Sequence, residues 1–151
     1  MNYDDLISAT TEVGYLLLRN GAEIYRVEDS MQRIFRAYGV DTGEIFAIPT
    51  CIFVTITTPE GKSITRIKRL YTRVTDLDKV DRANDLCRRI CRLCPDVRSI
   101  REEIETINRR PVYDFGTQVA AFAMVAFSFT LFYGGTLADA FCSLFCGAGV
   151  K

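Results

Sequence analysis

Cys87, Cys91 and Cys94 make the spacing C-x3-C-x2-C, which radical enzymes use to hold an iron–sulfur cluster. Such a loop must wrap its cluster. Here the steps of four and three residues continue the apolar stripe of Val80 and Ile90, so packing inside a helical core is the expectation and metal or redox use the alternative. Cys142 and Cys146, four apart in an apolar run, read as small packing residues. Histidine is absent, which removes any Ser-His-Asp arrangement, and no glycine-rich phosphate loop is present. Hydrolysis would therefore have to rest on carboxylates. Glu28 stands between Val27 and Met31 at the border of an apolar helix face, where an ionised carboxylate needs a partner, and Arg73 is the cation expected to supply it. Asp139 follows Gly134-Gly135 beside a long apolar run; it reads either as a polar contact for a proton or substrate, or as a loop residue in interfacial water.

The elements that position these residues follow from periodicity. Leu6, Thr10, Val13 and Leu17 predict a helix ending at Asn20-Gly21. Ile24, Val27, Met31, Ile34, Phe35 and Tyr38 predict a second, stopped by Gly39. The period then changes: Ile52, Val54 and Ile56 alternate with Phe53, Thr55 and Thr57, and Pro59-Glu60-Gly61-Lys62 supplies a turn, so a hairpin or small sheet is expected. Pro49 confines its strand to an edge or breaks it. Helical spacing returns with Leu77, Val80, Cys87, Ile90, Cys91 and Cys94, and again from Val97 through Ile100, Ile104 and Ile107. No helix here buries its stripe alone. The fold class is thus α+β, an ααββαα domain with helices layered on a hairpin.

Of the charged residues, only Asp114, Asp139 and Lys151 lie beyond Val112, so a charged two thirds abuts an apolar third. The 24 residues between Asp114 and Asp139 carry no charge. As one helix they would rise about 36 Å, against about 30 Å of hydrocarbon. A buried helix of a soluble protein is the alternative, but a domain this small cannot cover it on every side. Arg109 and Arg110 precede the run, which by the positive-inside rule puts the amino-terminal side in the cytoplasm. The first residues carry Asp4, Asp5 and Glu12 and do not look like a cleaved signal, so the six cysteines are expected to be thiols. The expected organisation is a cytoplasmic domain at 1–111, a membrane helix at 112–133, and the truncated start of a second at 136–151. Balanced charge, 19 basic and 19 acidic residues, points to no nucleic-acid partner, and no metal or cofactor is implied.

The run LLLRNGAEIYRVEDSMQRIFRAYG, then a threonine-rich strand, TRVTDLDKV, an apolar span and FYGGTLADAF, together resemble the amino-terminal half of the threonine/serine exporter family over nearly the whole chain. The matching elements are Gly21-Ala22-Glu23, Val27-Glu28, Gly39, Thr57, Arg73, and Gly134-Gly135 with Asp139. Asp76 stands where an asparagine is common. The resemblance implies a multi-pass secondary exporter of the inner membrane, not an enzyme, driven by an ion gradient. Its substrates would be threonine and serine, or a dicarboxylate such as succinate. Glu28, Arg73, Asp139, Gly134 and Gly135 would be the transport residues. Lipid, a small-molecule substrate, further helices on this chain or on a second membrane subunit, and a homo-oligomer are the implied partners. Two other readings stand beside it. One is a membrane-tethered hydrolase using Glu23 and Glu28 on a small amino-acid derivative; the other is a regulatory or nonfunctional fragment.

Overall fold

The computed structural model describes residues 2–111 and 113–150, so the expected domain bounds at 1, 112 and 151 fall outside the described residues. The chain divides into two compact units, 1–110 and 111–151.

In the first unit, helix α1 (Tyr3–Arg19) starts at Asn2, whose side chain accepts the Asp4 N–H at 3.0 Å, with Asp4 and Asp5 favourably placed in the first turn. Ten residues of α1 are buried, on all sides and not along one stripe, because helices and strands that follow in this unit pack around it. Helix α2 (Ile24–Ala37) buries Val27, Met31, Ile34 and Phe35. It crosses α1 where Gly14 leaves no room for a side chain: an added Cβ would sit 2.2 Å from the Met31 sulfur.

Three strands follow: β1 (Glu44–Ile48), β2 (Cys51–Thr57) and β3 (Ser63–Arg69), antiparallel in the order β1-β2-β3. The order is therefore ααβββαα and not the expected ααββαα. Pro49-Thr50 is a tight turn, with Ile48 paired to Cys51, so the proline separates two strands. Strand β1 escaped periodicity because Phe46 and Ile48 on its outer face are as apolar as Ile45 and Ala47 on its inner face. Ala47, Ile52, Val54 and Ile56 face the helices. Helices α3 (Leu77–Leu93) and α4 (Val97–Asn108) complete the unit, burying Ala83, Leu86, Cys87 and Ile90, and Ile100, Ile104 and Ile107. Leu77, expected to head the α3 stripe, is exposed; Val80 packs against the core half-buried, and full burial begins at Ala83.

The second unit is a helical hairpin. Helix α5 (Phe115–Phe132) begins at Asp114, whose carboxylate accepts the Gly116 N–H at 3.0 Å, and α6 runs Leu137–Val150. The 24-residue uncharged run is thus not one helix: α5 has 18 residues, about 27 Å of rise, and the chain turns at Gly134-Gly135. The helices pack antiparallel through small residues. A Cβ on Gly147 would lie 2.7 Å from both the Ala126 Cβ and the Phe122 carbonyl oxygen, while Ser143 donates to the Ala126 carbonyl at 3.2 Å and Phe127 meets Phe141 edge-on at 5.5 Å. Cys142 and Cys146 are exposed in this unit and do not pack in the hairpin; Gly147 and Ala140 fill the contact instead.

Candidate functional site

Residues of the loop before α3 come back onto the end of α1. Helix α1 closes with the Gly21 N–H on the Leu18 carbonyl at 3.4 Å and the Ala22 N–H on the Leu17 carbonyl at 3.0 Å, with Gly21 at φ +103°. Two free carbonyls just before and within this turn then accept from the loop: Val74 N–H to Arg19 at 2.8 Å, and Asp76 N–H to Asn20 at 3.0 Å. The Arg73 guanidinium donates to the Ala22 carbonyl at 3.1 Å. A Cβ on Gly21 would stand 3.2 Å from the Val74 carbonyl oxygen, so the close approach and the left-handed backbone both require glycine. Gly21, Ala22 and Arg73, some fifty residues apart along the chain, thus form one junction. Asp76 continues it, accepting the Lys79 N–H at 3.1 Å as the cap of α3. Asparagine caps a helix as well as aspartate does, so the asparagine that the resemblance led one to expect here would do the same job.

Glu28 lies elsewhere. Its carboxylate accepts the Ala47 N–H at 2.7 Å, on the edge of β1 that no other strand covers. The expected ion pair with Arg73 is not formed, because Arg73 is engaged at Ala22. A half-buried carboxylate here does for the sheet edge what a neighbouring strand would do. Glu23 is exposed and pairs with Arg26 at 2.9 Å; a hydrogen bond from Tyr25, then one from Arg26, holds its carboxyl below the usual range. Val27 is fully buried in the core.

Gly39 and Gly134 repeat the geometry of Gly21. Gly39 (φ +76°) ends α2, with Val40 N–H on the Phe35 carbonyl at 2.9 Å; Gly134 (φ +84°) ends α5, with Gly135 N–H on the Thr130 carbonyl at 2.9 Å. Gly135 itself is pressed against Thr130, where a Cβ would lie 2.7 Å from the threonine methyl. Thr57 joins Gly39 at a shallow cleft of about 250 Å³, where the Thr42 hydroxyl donates to the Thr57 carbonyl at 2.8 Å. Asp139 is in the first turn of α6 and not in a loop. Its carboxylate accepts from the Thr136 N–H at 2.9 Å and hydroxyl at 2.7 Å, a reciprocal cap.

The cysteine triplet does not converge. Cys87 is buried, Cys91 half-buried, and Cys94, at φ 42° where α3 ends, is exposed with its thiol on the Ala37 carbonyl at 3.2 Å. No group of three metal-ligating side chains occurs among the described residues. Burial pushes the Cys87 thiol up to about 12. Beside it, a groove of about 320 Å³ between α2 and α3 is lined by Arg26, Arg33 and Arg88, each guanidinium paired to a carboxylate on its own helix or at its start.

The ThrE family model, that of the threonine/serine exporters, matches residues 8–151. The chain belongs to that family. Searches of curated proteins and of solved structures return no match. This is a family of membrane transporters and not of enzymes, and the residues that carried the resemblance, with Asp76 beside them, divide by location in this chain. Gly21, Ala22, Arg73 and Asp76 meet at the α1–α2 turn; Glu28 holds β1; Gly134, Gly135 and Asp139 shape the α5–α6 turn. Asn20 was named only as part of a helix stop and not as an acceptor, and the Ala47 N–H was not legible beforehand. The Asn20-Gly21 pair marks where the helix ends, whereas nothing in the sequence marks which strand N–H a glutamate will reach.

Proposed function

We propose that this chain provides the cytoplasmic domain and first membrane helices of an inner-membrane secondary exporter of threonine and serine, with a dicarboxylate such as succinate as the alternative cargo. The observation that carries this reading is α5. It holds 18 residues with no charge and Ala123 alone is buried, so beyond the side that packs on α6 its apolar surface is left open, as lipid but not water would favour. Family membership supports the same direction. In this reading residues 1–111 are cytoplasmic, 112–133 cross the membrane and 136–151 begin the next crossing, with Arg109 and Arg110 on the inner side. Two apolar helices do not enclose a permeation path; further helices, on the same polypeptide or on a second subunit, complete it.

In this reading Arg73, through Ala22, and Glu28, through β1, organise the cytoplasmic unit as a gate or sensor, which their hydrogen bonds to distant backbone support. Asp139, with Gly134 and Gly135, lies near the route itself. Export from cells carrying the full-length protein tests this. Glu28→Gln and Asp139→Asn each keep an oxygen acceptor for their present hydrogen bonds and lose only charge, so the expected result is normal insertion with export of threonine and serine reduced about tenfold, the worth of one charged contact. Export at the parent rate by both variants removes those two residues from transport; no efflux of threonine, serine or succinate by the parent removes the function.

A further inference from the structure

The sheet of the first unit has helices on one face only, α1 against β2 and β3, and α2 against β1. On its other face Phe46, Phe53 and Ile67 stand directly opposite one another across the three strands, 61%, 37% and 61% exposed. The two rings lie 6.2 Å apart. A contiguous apolar row of this kind marks a contact surface.

The charges at its corners say what covers it. Glu44 on β1 is level with Thr55, two residues to one side of Phe53; Arg69 on β3 is level with Cys51, two residues to the other side. Phe53 is therefore the midpoint of a diagonal that joins a carboxylate to a guanidinium. Neither forms a salt bridge among the described residues, Arg69 resting on the Tyr71 ring at 5.7 Å. A two-fold axis lying in the plane of this face, through Phe53 and across the diagonal, sets Glu44 of one copy against Arg69 of the other, and the reverse pair forms by symmetry. The geometry points to the outer face of the sheet as a self-complementary contact between two copies of this chain, with Phe53 meeting Phe53 at the axis.

Three short strands offer less than the roughly 800 Å² per partner of a standard interface, so the pair forms when both copies are confined to one bilayer and their effective concentration is high. The inference rests in this respect on the membrane reading above. An axis in the plane of the contact can stand along the bilayer normal, as two copies inserted in the same sense require.

The test uses the full chain reconstituted in phospholipid vesicles, with flotation to establish insertion. Phe53→Cys, placed on the axis, is expected to give a disulfide-linked dimer under mild oxidation in excess of any formed by the parent. Added to that background, Glu44→Arg or Arg69→Glu is expected to reduce the cross-link about fivefold by setting like charges together, and the two changes combined to restore it. A floated chain that does not cross-link through position 53, or single swaps without effect, or a double swap without rescue, overturns the pairing while leaving the membrane reading intact. A chain that fails to float overturns both.

Discussion

A carboxylate at Glu28 invites a functional reading, and its geometry separates that reading from a structural one. Its oxygen lies 2.7 Å from the Ala47 N–H, and Ala47 is buried, so removing the acceptor strands a donor away from water. Glu28→Ala is expected to destabilise the first unit by about 1–3 kcal/mol, the cost of a buried unsatisfied group. Glu28→Gln should recover most of that, because an amide oxygen accepts equally well. Thermal melts of the two variants read the difference, and equal loss in both would mean that the charge itself holds the edge. Cys87 gives a pH signature at the same scale. Its thiol is raised by burial from about 9 to about 12, so the folded state holds a proton that the unfolded chain releases. The resulting stability is intact below pH 9 and falls as pH climbs towards 12, by on the order of 1 kcal/mol per unit. Denaturant titrations at pH 8, 9.5 and 10.5 should show this slope in the parent and a flatter one in Cys87→Ala.

Elements are ended and allowed to approach one another in this chain by glycine. Helices α1, α2 and α5 each stop with the same pair of backbone hydrogen bonds around Gly21, Gly39 and Gly134, all at positive φ. These three glycines thus have a shared physical reason, the release of a helix into a turn at positive φ. Gly147 does a different job, letting α6 approach α5 until backbone meets backbone. Gly147→Val is expected to push the two helices apart at a cost of about 1–3 kcal/mol. A cross-link engineered between Ala126→Cys and Ser143→Cys, whose parent residues touch at 3.2 Å, reads that displacement. The rate should fall sharply with Gly147→Val and stay unchanged with Gly149→Ala, since Gly149 has nothing within 4 Å of an added Cβ.

At the scale of the whole molecule, two units of opposite solvent preference share one chain. The first holds a core of fully buried side chains, among them Phe35, Leu17, Ile52 and Ile90; the second exposes Phe115, Phe122, Phe129 and Phe132. Residues 111–150 contain neither lysine nor arginine, so trypsin reports on the first unit alone. In inside-out vesicles it is expected to digest that unit, and in intact spheroplasts to leave it whole; the opposite pattern would reverse the proposed orientation. Much of this division was legible beforehand, because hydrophobic periodicity and charge are properties of the linear chain: the presence of α1, the stripes of α2 and α4, the β2–β3 turn, the uncharged run and the family all follow from residue order. Three things were not. Strand β1 has apolar residues on both faces, so no alternation betrays it, and its pairing with β2 had to be seen. Cys142 and Cys146 have the spacing of packing residues, but which side of a helix is covered depends on where its neighbour lies. Glu28 and Arg73 carry opposite charge, yet each is taken by a backbone group closer to hand. Sequence determines what each side chain would accept as a partner; only the folded chain, by setting distances between residues far apart in order, decides which partner it gets.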